Sequence, residues 1–133
     1  MKIAFFTEMN FKGKISRTHE NMRTEFAWMC ALNATHYPIN SAHQISYDTK
    51  IDLGIVIIPK KNPNFNLDSI KSVCDKVAVM QEGPHWYFQD YTLDKQIWYY
   101  NTLTSADIIF THNKVDRTYY EGLTNHKDVR VLC

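Results

Sequence analysis

Leu53-Gly54-Ile55-Val56-Ile57-Ile58 is a continuous apolar run closed by Pro59. It shows no alternation of apolar and polar residues, so both of its faces need apolar cover. A strand of this kind belongs inside a parallel sheet with helices on either side. That one segment sets the fold class, and the rest of the chain can be read outward from it.

The same grammar repeats in both directions. Ile3 to Thr7 is a compact apolar run and predicts the first strand. Val77-Ala78-Val79-Met80, Ile108-Ile109-Phe110-Thr111 and Val129-Arg130-Val131-Leu132 predict three more. Thr35 to Ile39 predicts a weaker one, because Pro38 removes a backbone donor. Lys12-Gly13-Lys14-Ile15-Ser16-Arg17 reads as a loop. From about Thr18, the residues Met22, Phe26, Met29 and Cys30 recur at helical spacing and predict one inward stripe. Thr18 or Asn21 would supply its N-cap oxygen. A short helix is expected over Asp68 to Cys74, with Leu67, Ile70, Val73 and Cys74 inward. Thr92 opens a helix carrying Leu93, Ile97, Tyr100 and Leu103 on one side. Val115 to Leu123 is a last helix, ending around Gly122. Strands separated by helices make right-handed βαβ units. The expected fold is therefore α/β: an open, mostly parallel, Rossmann-like sheet with helices on both faces.

With 133 residues the chain reads as one domain, residues 1–133, large enough to bury a core without disulfide staples. Fifteen Lys and Arg against fourteen Asp and Glu leave a formal charge of +1. That balance gives no electrostatic footprint for duplex nucleic acid or an anionic membrane. Cys30, Cys74 and Cys133 form no CxxC pair, and an odd, scattered count predicts reduced thiols. The N-terminus carries no signal-peptide pattern, and no stretch approaches the roughly 18 apolar residues of a membrane helix. A cytoplasmic location with no membrane span is the expectation. No metal is expected, because the six histidines show no HxxxH and no zinc spacing with the cysteines. GxGxxG, Walker and GxSxG motifs are missing. The last strand runs into the C-terminus, so the chain is expected to be a piece of something longer.

In an open α/β sheet, ligands bind beyond the carboxyl ends of the strands. Here those ends read Thr7-Glu8, Pro59-Lys60-Lys61, Gln81-Glu82-Gly83-Pro84-His85-Trp86 and His112-Asn113. The Gln81 to Trp86 stretch is the richest, with a carboxylate, an imidazole and an indole around a Gly-Pro turn. Glu82 and His85 are the catalytic candidates, with His85 suited to general-base work or to phosphate oxygens. Glu82 also fits a helix cap, and Trp86 a core position. Glu8, Arg17, Gln81, Trp86, His112 and Asn113 are the substrate-binding candidates. The aromatic cluster from Trp86 to Tyr100 fits a stacking platform for a base or sugar, or simply core.

Ala106-Asp107-Ile108-Ile109-Phe110-Thr111-His112-Asn113, then a helix, Gly122 and Val129-Arg130-Val131-Leu132, resembles a recurring pattern of GT-B glycosyltransferases. Arg23-Thr24-Glu25-Phe26-Ala27-Trp28 and Gln81 to Phe88 are similar to runs in phage-encoded members. The resemblance implies the N-terminal, acceptor-side half of a two-domain transferase. It implies no cofactor, with a sugar nucleotide as co-substrate held mainly by the other half, and an acceptor of unspecified identity. It also implies metal-independent hexosyl transfer, with helix dipoles and basic residues neutralising the diphosphate. Two departures stand out: Glu8-Met9-Asn10-Phe11-Lys12-Gly13 replaces a glycine-rich turn, and His85 comes a few residues after the strand instead of directly. The alternatives are a non-catalytic, flavodoxin-like binding or regulatory module, and an interaction domain whose polar edge contacts a protein partner.

Overall fold

A computed structural model describes residues 1–15, 24–46, 48–59, 65–81, 89–125 and 128–132. Its elements, in chain order, are strand β1 (Ile3–Thr7), strand β2 (Gly13–Lys14), helix α1 (Thr24–Ala31) and strand β3 (Thr35–Pro38). A 3-10 turn at Ala42–Gln44 leads to strand β4 (Ile51–Ile58), helix α2 (Leu67–Lys71) and strand β5 (Cys74–Gln81). Helix α3 (Leu93–Ser105), strand β6 (Ile108–Thr111), helix α4 (Lys114–Thr124) and strand β7 (Val129–Val131) complete it. The seven strands form one sheet in the order β2-β3-β1-β4-β5-β6-β7, with every pairing parallel except β2 with β3. The α/β, Rossmann-like expectation holds.

The apolar run that opened the sequence is the centre of the sheet. Val56 and Ile58 face one side, among Phe6, Val77, Val79, Leu103, Ile109 and Tyr120. Ile55 and Ile57 face the other, among Phe5, Phe26, Met29, Ala78 and Met80. Alternation of side chains along each strand fills both cores at once, which is why the run could not alternate in polarity. Helices α2, α3 and α4 contribute to the first core and α1 to the second. Gly54 is needed at its place: a Cβ there would lie 2.7 Å from Cys74 Sγ and 3.3 Å from the Phe6 ring.

Several expectations are corrected in detail. The basic loop after β1 contains β2, a two-residue strand pairing Gly13 with His36 and Lys14 with Thr35. Pro38 is tolerated in β3 because β2 stops short of it. Ile39 N–H turns towards β1, bonding Thr7 O at 2.8 Å, so the missing N–H of Pro38 belongs to the opposite side. Cys74 belongs to β5, paired with Ile51, and not to the preceding helix. On α1, Phe26 and Met29 are buried as expected but Cys30 is exposed, and residues 18–23 lie outside the described part. On α3, Leu103 points inward with Tyr99, and Ala106 just after the helix is buried too, while Leu93, Ile97 and Tyr100 are exposed. Helix α4 passes through Gly122 and closes at Asn125, whose φ of 52° is the left-handed cap that asparagine tolerates.

Candidate functional site

Strands β1, β4, β5 and β6 are adjacent and parallel, so Glu8, Pro59, Gln81 and His112 all leave the sheet along one edge. With β2 set aside, the strands run 2-1-3-4-5-6, and the chain reverses its direction of winding between β1 and β4. This is the switch point at which open sheets leave a crevice for ligands.

At β1 the carboxyl edge is fixed by a residue to which the sequence assigned no role. His36 on β3 is fully buried. Its Nδ1 lies 2.8 Å from Phe11 O, and because a carbonyl only accepts, Nδ1 carries the hydrogen. Nε2 is therefore bare and accepts from the Thr7 hydroxyl at 2.7 Å, while Thr7 Oγ1 itself accepts from Met9 N–H at 3.2 Å. The ring stacks on Phe11 with centroids 4.1 Å apart. Burial, partly offset by the Phe11 carbonyl, holds this imidazole below its ordinary range, so it is neutral. The segment following β1, which carries the exposed Glu8, is thereby tied to the sheet.

At β5 the side chain of Gln81 points to the opposite face, following the parity of Val77 and Val79. It is buried, and the hydroxyls of Tyr99 on α3 and Tyr120 on α4 both reach its Oε1, Tyr120 at 2.5 Å. The two hydroxyls lie 2.9 Å from each other. Burial pushes both phenols well above the ordinary tyrosine range. The carbonyl oxygen of Gln81 thus serves to clamp α3 and α4 to the strand end. Glu82, His85 and Trp86, like Arg17, lie outside the described residues.

At β6, two neighbouring candidates take different directions. His112 is exposed and stacks on Trp28 of α1, with centroids 6.1 Å apart and planes at 29°. Asn113 caps α4: its Oδ1 accepts from Asp116 N–H at 2.8 Å, and its Nδ2 approaches Asp116 Oδ2 at 3.4 Å. The N-cap bond satisfies one of the free N–H groups of the first turn, and the second contact holds the two side chains together. The rim therefore brings together Glu8, Gln81, His112 and Asn113 by backbone position. Their side chains divide between the two faces, with Gln81 committed to the α3–α4 side and His112 to the α1 side.

Among the described residues no group of three or more His, Cys, Asp or Glu could hold a metal ion, and no helix is long and apolar enough to cross a membrane. His36, Tyr99 and Tyr120 are the positioning residues that sequence reasoning missed. The aromatic cluster around Tyr99 was visible, but its bond to Gln81 was not. No family model matches this chain, and neither a curated protein nor a solved structure does.

Proposed function

We propose that this chain is the acceptor-side half of a glycosyltransferase moving a hexosyl group from a sugar nucleotide to an acceptor. The observation that carries the proposal is the shared carboxyl edge of β1, β4, β5 and β6. These strands end side by side at Thr7, Ile58, Gln81 and Thr111, and in the sequence they are followed by Glu8, residues 60–64, residues 82–88 and His112-Asn113. A rim of carboxylate, imidazole and amide groups suits the hydroxyls of a sugar, and Glu82 or His85 would take the acceptor hydroxyl proton as general base. Glu8, Arg17, Trp86, His112 and Asn113 would position the substrates, while Gln81, expected from the sequence among them, is buried and holds the strand end instead. The segment that resembles GT-B enzymes coincides with one complete β6–α4–β7 unit, which gives the resemblance a structural boundary.

A second proposal, a non-catalytic flavodoxin-like binding module, is favoured by the strand order β3-β1-β4-β5-β6, which is the 2-1-3-4-5 order of that architecture. A thermal-shift panel of nucleotide sugars against the longest protein its reading frame encodes separates the two. Under the transferase proposal a nucleotide sugar stabilises that protein. Glu82→Gln and His85→Ala then each lower kcat by about 10²-fold or more, the usual reach of general acid–base catalysis. The chain of 133 residues alone turns over little or no sugar nucleotide. Robust turnover by it, or unchanged kcat in both variants, refutes the assignment.

A further inference from the structure

Helices α3 and α4 enclose a groove of about 460 Å³ that the strand ends do not use. Its lining includes Leu93, Gln96, Ile97 and Tyr100 of α3 and Tyr119 and Leu123 of α4. The volume falls in the range of roughly 300–1,000 Å³ typical of small-molecule sites. Leu93, Ile97 and Tyr100 are 73%, 52% and 43% exposed, a helical stripe turned outward although the same helix buries another.

Three features define what would fit. The walls are aliphatic and aromatic, with Tyr100 and Tyr119 rings accessible to a flat apolar surface. No charged side chain is among the described lining residues, which therefore offer nothing to a phosphate or carboxylate. One polar group is already fixed in place: Gln96 Nε2 donates to Gln89 O at 3.2 Å and to Tyr91 O at 2.8 Å. Both amide hydrogens are used, which leaves the Gln96 carboxamide oxygen as a held acceptor for a ligand hydroxyl. Rigid groups of this kind lose little entropy on binding. A ring with an apolar C–H face and neutral hydroxyls matches all three features.

We propose that the α3–α4 groove binds a neutral hexopyranose. Calling that sugar part of the transferase acceptor rests on the function proposed above, whereas the binding itself does not. Because α3 begins at the carboxyl edge and Tyr99 joins the groove to Gln81, a glycan seated here reaches towards the rim.

The test is saturation-transfer NMR on the chain with glucose, galactose, mannose, N-acetylglucosamine and maltose. Each is used at about 10 mM, which suits millimolar affinity, with uridine and glucose 6-phosphate as contrasts. At least one neutral sugar receives saturation, and glucose 6-phosphate binds no better than glucose. Tyr100→Ala weakens binding about fivefold or more, as loss of a stacking ring does, while Tyr100→Phe retains most of it. Tyr100 is well exposed, so these variants keep the fold, which circular dichroism checks. Binding by none of the neutral sugars, preference for uridine, equal binding by Tyr100→Ala, or self-association that covers Leu93 and Ile97 overturns the proposal. Sugar binding without turnover in the longer enzyme refutes the transferase alone; turnover without sugar binding here refutes the groove alone.

Discussion

Replacing Tyr99 and Tyr120 by phenylalanine, singly and together, probes how the end of β5 is held. Three oxygens, Gln81 Oε1 and the two phenol oxygens, approach one another, yet only two hydroxyl hydrogens serve the three contacts. One contact always lacks a hydrogen, so a single deletion leaves the Gln81 oxygen with the other tyrosine as donor. Each single variant should lose about 1 kcal/mol, the net worth of one hydrogen bond. The double variant strips both tyrosine donors from a buried amide oxygen and adds a desolvation penalty of about 1–3 kcal/mol. Its total is therefore about 3–5 kcal/mol, which exceeds the sum of the singles by more than the additivity error of about 0.5 kcal/mol. Urea unfolding at constant m-value measures all four proteins. A double variant no worse than the sum of the singles would show that the three oxygens do not share their hydrogens, and the clamp would be wrong. The same burial makes a pH prediction. Both phenols ionise higher in the folded chain than at the unfolded value near 10, so their contribution is complete below that pH and is lost as pH rises past it.

His36, held below its ordinary range by burial, should give an acid dependence of the opposite sense. The unfolded chain takes up the proton first, so stability is full above about pH 6.5 and falls as pH drops below it; thermal melts from pH 8 to 5 should show this slope, and His36→Gln should remove it. Cys74, whose thiol burial and the neighbouring Asp75 push up to about 12, should resist a thiol reagent at pH 8 in the native protein, whereas exposed Cys30 should react; mass spectrometry of the labelled peptides decides. Gly54→Ala should cost about 1–3 kcal/mol, because the new methyl meets Cys74 Sγ at 2.7 Å in a packed core. Cys74→Ala, which empties that space, should recover part of the loss in a denaturant titration.

How much was legible depended on whether a signal was local. The run Leu53 to Ile58 declared itself a central strand, because only a strand covered on both faces can be apolar throughout. Helix α3 was located correctly, but of the four residues expected on one side only Leu103 is buried, while Leu93, Ile97 and Tyr100 are exposed. Leu93, Ile97 and Tyr100 have the spacing i, i+4, i+7, and so do Tyr99, Leu103 and Ala106. Two stripes of one period cannot be ranked without the sheet they pack against. Strand β2 has two residues and hence no period at all. The rim followed from parallel strands alone, so the positions of Glu8, Gln81, His112 and Asn113 along it were readable. The bonds of their neighbours were not: Gln81 is met by tyrosines 18 and 39 residues away, and His36 by Thr7 and Phe11 at separations of 29 and 25. Such contacts exist only after the strands align.

Backbone amide NMR of the longest encoded protein, titrated with the nucleotide sugar that stabilises it most, tests the carboxyl edge directly. Shifts should concentrate at Thr7-Glu8, Ile58, Gln81 and His112-Asn113, with the amino ends of the strands at Ile3, Ile51 and Ile108 unmoved. Shifts gathered at Ile3, Ile51 and Ile108, with the opposite edge silent, would contradict a ligand site at the switch between β1 and β4.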